Sequence, residues 1–174
     1  EVLTNLGKVL LNQGLYKEAE INIKNALVGV ENTRGPDSIS TATTLVALAD
    51  VYSEQSRFKE SEELYKRSLE IYKDKLGAEK YEISIILHNL AYMYMTQGLY
   101  SKAEIALQQS LSIAEKILGR DHPNNVLSLT ALGELSLNRH LYSQAESYLR
   151  RALVIQKKIP GLENRGGAFI LNNL

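Results

Sequence analysis

The chain has 174 residues in which 20 lysines and arginines balance 20 aspartates and glutamates, and it contains no cysteine. That balance argues against the basic footprint of a nucleic-acid binder or a polybasic membrane patch, and the missing thiols exclude disulfides and thiolate metal sites. Neither a signal peptide nor an apolar run of the roughly 18 residues needed to span a bilayer occurs, so the expectation is a cytoplasmic chain with no nucleic-acid or membrane partner, unless segments outside it carry a targeting signal.

Helix A of a first hairpin runs from Glu1 to about Gln13, where Leu3, Leu6, Gly7 and Leu10 form one apolar stripe and Gly14 supplies a left-handed C-cap. Helix B follows from about Tyr16 to Glu31 with Ala19, Ile23, Ala26 and Leu27 inward, and Asn32 to Asp37 (NTRGPD) is turn chemistry. A second hairpin covers about Ser38 to Gln55 and Phe58 to Leu76. It is the least regular, with Ser56 at the turn position and Arg57 replacing the leucine seen at Leu15, Leu99 and Leu141. The third spans about Glu79 to Gln97 and Tyr100 to Leu118, split by Gly98. The fourth opens on LGRDHPNNV, where Asp121 is a candidate cap and Pro123 a first-turn proline, and His140 takes the left-handed turn position. Its helix B ends near Lys158, Pro160-Gly161 breaks the chain, and Phe169 to Leu174 begins a fifth helix A. Lacking a helix B, that segment is expected to be partly exposed or covered by a neighbouring molecule.

The hairpin recurs every 42 residues without an insertion. Leu3, Leu45, Leu87, Leu129 and Leu171 share one phase, and Leu6, Leu48, Leu90, Leu132 and Leu174 a second. Tyr16, Phe58, Tyr100 and Tyr142 share a third; Glu20, Glu62, Glu104 and Glu146 a fourth; Gly35, Gly77, Gly119 and Gly161 a fifth. Identical supersecondary units that bury their apolar faces on one another stack into an all-α solenoid. The organisation expected is one array over 1–174, with repeats at about 1–36, 37–78, 79–120 and 121–162 and the start of a fifth at 163–174. Because it begins inside one helix and stops inside another, it reads as an excerpt of a longer array.

Small residues have a mechanical role in this scheme. Gly7, Ala49, Ala91 and Gly133 share one phase of helix A, and Ala19, Ser61, Ala103 and Ala145 one phase of helix B, which lets the paired helices approach closely. The glutamate column near the start of helix B is read as structural, favoured there by the helix dipole. No catalytic constellation emerges: His88, His122 and His140 fall at three phases and should not converge, and the glycines form no phosphate-binding pattern. Neither enzymatic activity nor a cofactor is expected.

The succession leucine, leucine, small, large, glycine, tyrosine, alanine, large, alanine resembles the tetratricopeptide repeat, whose usual period is about 34 residues. The longer period here fits longer helices and a fuller connection, as in the kinesin light chain type, and LHNLAYMYMTQGLYSKAEIALQQSLSIAEKILGRDHP (Leu87 to Pro123) looks very like that subclass. Similar arrays occur in bacteria beside signalling or protease-like domains. The resemblance covers essentially the whole chain and implies a right-handed superhelical solenoid of antiparallel hairpins, with the A helices lining a concave groove that holds a peptide or a partner segment.

Carried over by phase, that groove should display Thr4, Asn5, Lys8, Leu11 and Asn12, then Val46, Ala47, Asp50, Ser53 and Glu54. His88, Asn89, Tyr92, Met95 and Thr96 follow, then Thr130, Ala131, Glu134, Leu137 and Asn138, with Asn172 and Asn173 last. Asn5, Asn89 and Asn173 share one phase in LTNL, LHNL and LNNL. An amide there can pair with a peptide backbone whatever its sequence, as the resemblance to kinesin light chains also implies. Grooves of this type that take acidic peptides carry basic residues, whereas here Lys8 stands alone against Asp50, Glu54 and Glu134. A neutral or basic protein or peptide ligand with apolar anchors for Tyr92, Met95 and Leu137 is therefore expected rather than an acidic one. Two other functions fit the same scaffold, a self-associating spacer and the sensor array of a larger bacterial signalling or protease-like protein.

Overall fold

The structure, a computed structural model, describes residues 1–158. Among them it contains eight α-helices and no strand: α1 (Val2–Asn12), α2 (Tyr16–Arg34), α3 (Ile39–Glu54), α4 (Phe58–Leu76), α5 (Tyr81–Thr96), α6 (Tyr100–Leu118), α7 (Asn125–Asn138) and α8 (Tyr142–Lys157). Odd-numbered helices are the A helices and even-numbered ones the B helices. They fall into two compact units, Glu1–Glu79 and the remainder from Lys80. The segments from Pro160-Gly161 onward, including the fifth helix A and Asn172 and Asn173, lie outside the described residues.

All four hairpins turn through the same hydrogen bonds. In the first, Leu15 N–H donates to Leu10 O at 2.9 Å and Gly14 N–H to Leu11 O at 2.9 Å, the paired bonds of a Schellman cap. Arg57 to Tyr52, Leu99 to Tyr94 and Leu141 to Ser136 repeat the longer-range bond. The cap demands a left-handed residue, met by Gly14 (φ 75°) and Gly98 (φ 71°) but also, against steric preference, by Ser56 (φ 60°) and His140 (φ 59°). Between hairpins Gly35 and Gly119 stop the B helices at φ 89° and 91°, a region closed to side chains.

Close packing within hairpins follows the small-residue columns. A Cβ built on Gly7 would lie 2.3 Å from Ile23 Cγ1, and one on Gly133 would lie 2.7 Å from both Leu149 Cγ and Cδ2. Ala49, Ala19, Ser61, Ala91, Ala103 and Ala145 are all buried. Where serine replaces alanine on a B helix it turns inward and donates to an A-helix carbonyl, Ser61 Oγ to Ala49 O at 2.7 Å and Ser68 Oγ to Ala42 O at 2.9 Å. These bonds satisfy hydroxyls that burial would otherwise leave unpaired.

In the first unit α2 and α3 share a core of Ala19, Ile23, Ala47, Leu48, Val51 and Tyr52, with Leu10, Leu11, Leu27 and Leu64 packed around it. Ala47, placed in the groove by phase, is thus wholly buried; on α3 it turns toward α2 rather than toward solvent. In the second unit Leu107, Leu129, Leu132, Leu135, Leu149 and Ile155 are buried within α6, α7 and α8.

Ion pairs join successive hairpins within each unit. Glu31 on α2 accepts from Arg67 on α4 at 2.8 Å, and Glu115 on α6 pairs with Arg151 on α8 at 2.5 Å. Each arginine also donates to a loop carbonyl, Arg67 to Pro36 and Arg151 to Arg120. The glutamate column makes a second pair of clips. Glu20 accepts from Gln55 Nε2 and Arg57 Nη1, both at 3.0 Å, and Glu104 from Arg139. Arg57 further pairs with Glu60 and stacks 3.7 Å over the Tyr52 ring. The irregular second turn is therefore where one hairpin grips its predecessor.

The fourth hairpin starts later than the sequence suggests. Asp121 does not cap α7; its carboxylate accepts from Lys158 Nζ at 2.7 Å, and Pro123 precedes the helix, which begins at Asn125. The buried Asn125 amide donates instead to Gly119 O (2.8 Å) and Arg120 O (3.1 Å) and folds the loop back on itself. Thr41 does the same for the first unit, its Oγ1 donating to Gly35 O at 2.7 Å.

Candidate functional site

Residues at i, i+3, i+4 and i+7 share one side of a helix, and the A helices present such a side in each unit. In the first, α1 and α3 flank a cleft of about 300 Å³ lined by Glu1, Thr4, Asn5, Lys8, Ala26, Val30, Ile39, Ser40, Thr43 and Thr44. The expected residues Asn5 and Lys8 are therefore brought together, both exposed, with Thr4 buried at the base. Four hydroxyls and an amide line this cleft beside Ala26, Val30 and Ile39, so its wall is mixed polar and apolar.

Asn12 and Glu54 are exposed, while Asp50 is half-buried. Its carboxylate accepts from the hydroxyl of Tyr65 on α4. Burial, followed by the neighbouring Asp50 charge, pushes that phenol above its usual range. Asp50 thus helps hold its own hairpin together, a tie that phase alone does not reveal.

The second unit has a different character. On α5, His88, Asn89 and Met95 are half-buried and Tyr92 is exposed; on α7, Glu134 is half-buried and Asn138 exposed. Sequence reasoning missed Ile85 and Leu127, which are 44% and 66% exposed beside Tyr92 at 56%. The signal was available: 85, 88 and 92, like 127, 130 and 134, follow one helical stripe.

Two ionisable groups on this side are perturbed. His88, expected on the open groove face, is half-buried; its Nδ1 is buried with no hydrogen-bond partner among the described residues, and burial pushes the imidazole below its ordinary value. Burial likewise pushes the Glu134 carboxyl above the usual carboxylate value. The other histidines lie elsewhere, His122 in the loop before α7 and His140 in the last turn, where its Nδ1 lies 3.2 Å from the Tyr142 hydroxyl. Among the described residues no three His, Asp or Glu side chains are grouped to hold a metal ion, and no helix is long and apolar enough to cross a membrane. Of the three phased asparagines, Asn5 belongs to the first unit, Asn89 to the second, and Asn173 lies outside the described residues.

A family model described as tetratricopeptide repeat matches residues 1–74 and 82–158. A search of curated proteins finds no match. Among solved structures the chain is similar to BtubC (BKLC) from P. vanneervenii, at 21% identity and TM-score 0.86, covering 99% of this chain and 68% of that one. It is also similar to the nearly identical TPR-like repeats of a kinesin light chain candidate from Podosopora anserina, at 21% identity and TM-score 0.82, covering 99% and 82%. Pseudomonas aeruginosa pilF follows at 21% identity and TM-score 0.69, covering 98% and 67%. At such identities the likeness speaks for the fold alone.

Proposed function

The chain belongs to the tetratricopeptide repeat family, and from that premise we propose that it is a non-enzymatic scaffold whose A-helix faces hold a peptide or partner segment, in the manner of kinesin light chain repeats. Members of the family generally mediate protein–protein interaction. The observation that supports the finer reading is the exposure of Ile85, Tyr92 and Leu127 at the A-helix phases that Glu1, Lys8 and Thr43 of the first-unit cleft occupy; Ile105, Ile117, Tyr142 and Val154 are exposed on the B helices of the same unit. Apolar side chains left in solvent at one repeated helix phase, as Ile85 and Leu127 are, are candidates for an interaction surface. The segment bound is neutral or basic with apolar anchors, since Lys8 is the lone cation among the groove positions against Asp50, Glu54 and Glu134. Asn5 and Asn89 supply backbone-directed amides, and the protein acts in the cytoplasm.

The test is a pull-down with the full chain beside its Asn5→Ala/Asn89→Ala variant, with circular dichroism confirming equal helicity. A partner held by the parent and lost by the variant supports the asparagine ladder, whereas equal recovery refutes it. A second reading, self-association as a spacer, draws on the outer side of α1, where Val2 is 81%, Leu3 41%, Leu6 44% and Val9 52% exposed. Sedimentation of the full chain separates the two.

A further inference from the structure

Two periods of the repeat relate the second unit to the first, so each residue lining the first-unit cleft has a counterpart 84 positions on. Glu1, Lys8 and Thr43 of that cleft correspond to Ile85, Tyr92 and Leu127. At these three positions the second unit carries apolar side chains, all exposed, while the counterparts of Asn5, Ser40 and Thr44 stay polar as Asn89, Asn124 and Ser128. Thr4 corresponds to His88, whose buried Nδ1 has no hydrogen-bond partner among the described residues.

Glu134 lies seven residues beyond Leu127 on α7. Glu104, Glu115 and Glu146 of the same unit are each ion-paired to an arginine, but the half-buried Glu134 carboxylate has neither an ion pair nor a hydrogen bond among the described residues. A partly desolvated carboxylate beside apolar surface is costly unless a cation meets it. Its complement is a lysine or, for two-pronged geometry, an arginine.

We infer that the A-helix side of the second unit binds an extended segment that sets an aliphatic or aromatic side chain against Ile85 and Leu127, which share one phase of the repeat, and a basic side chain on Glu134, which shares the phase of Tyr92. This rests on the A-helix reading above and adds the chemistry and spacing of the ligand. Seven helical residues at about 1.5 Å each span about 10 Å, the reach of about three extended residues at 3.3 Å. The segment is therefore apolar–x–x–basic.

Fluorescence anisotropy of short labelled peptides with a Leu-Ala-Ala-Arg or a Leu-Ala-Ala-Glu core, titrated with the full chain, tests this. The parent should bind the arginine peptide, Glu134→Gln should weaken it about tenfold, equivalent to about 1.4 kcal/mol, and Glu134→Lys should reverse the preference toward the glutamate peptide. Binding of the arginine peptide that survives Glu134→Gln but is lost in Leu127→Asp overturns the assignment of Glu134 and leaves the A-helix reading standing. Failure of the parent to bind the arginine peptide overturns the inference, and the Asn5/Asn89 variant then decides the broader reading. Equal binding by the parent, Glu134→Gln and Leu127→Asp overturns both.

Discussion

Replacing Gly133 by alanine should be harmful only while Leu149 is present. Gly133 lies in α7 where a methyl group would stand 2.7 Å from two carbons of the fully buried Leu149 on α8. Overpacking of that kind costs about 1–3 kcal/mol, against which alanine returns about 1 kcal/mol of helix propensity over glycine, so Gly133→Ala alone should cost about 0–2 kcal/mol. Leu149→Ala alone removes a side chain with no solvent exposure and should cost about 2–5 kcal/mol. In the double variant the clash is gone and the propensity gain remains, so the second methyl should stabilise by about 1 kcal/mol. The cycle therefore predicts a coupling of about 1–3 kcal/mol. Urea unfolding followed by helical circular dichroism and by the emission of the ten tyrosines, there being no tryptophan, measures all four corners. Additivity within about 0.5 kcal/mol would mean that α7 and α8 do not meet at this pair.

Other perturbations probe the turns and clips. Ser56→Gly and His140→Gly should each gain about 1 kcal/mol by relieving left-handed geometry, with Gly98→Ser losing a similar amount; loss in the first two would show that their side chains matter more than their φ. Burial acts upward on the Glu20 carboxyl but is outweighed by hydrogen bonds from Lys24, Gln55 and Arg57, which hold it at about 2 against 4.5 in an unconstrained chain. A depressed carboxylate stabilises the fold above the unfolded value, so stability should fall as pH drops from about 4.5 toward about 2, and Glu20→Gln should flatten that limb in an acid titration of unfolding. An unchanged limb would remove Glu20 from the clip. Ala103→Leu, at a fully buried helix contact, should cost about 1–3 kcal/mol in thermal melts, and no loss would displace the packing phase.

The hairpins were legible because their signals are local. An apolar stripe, a turn residue and a small-residue column each act within one or two turns of helix, and even Ser56 and His140 declared themselves by occupying glycine's phase. What escaped was decided by residues distant in sequence. The role of Glu20 depends on Gln55 and Arg57, while that of Glu104 depends on Arg139. Gln55 and Arg139 share one phase two periods apart, but a column that holds glutamine in one hairpin and arginine in another does not advertise itself as the partner of a glutamate some 35 residues earlier. The start of α7 is set by an amide reaching back to Gly119 rather than by Asp121, and Ala47 is withdrawn from the A-helix side by its packing with Ala19 and Ile23. On the candidate site, Tyr92, Asn5 and Lys8 are exposed, as a groove role requires, but helical phase gave no warning that Asp50 is bound to Tyr65.

The junction between hairpins carries a consequence for how such a chain can lengthen. Glu31 with Arg67, and Thr41 on Gly35, reappear as Glu115 with Arg151 and Asn125 on Gly119, two periods of 42 apart. One period apart, the positions of Arg67 and Thr41 hold Gln109, which has no charge to complete the ion pair, and Ile83, which has no side-chain donor. Insertion or loss of a single hairpin would therefore set a donor opposite the wrong neighbour, whereas insertion or loss of two would restore every match. The copyable module is the pair, and recombinants that change the chain by 84 residues should fold where those that change it by 42 are strained.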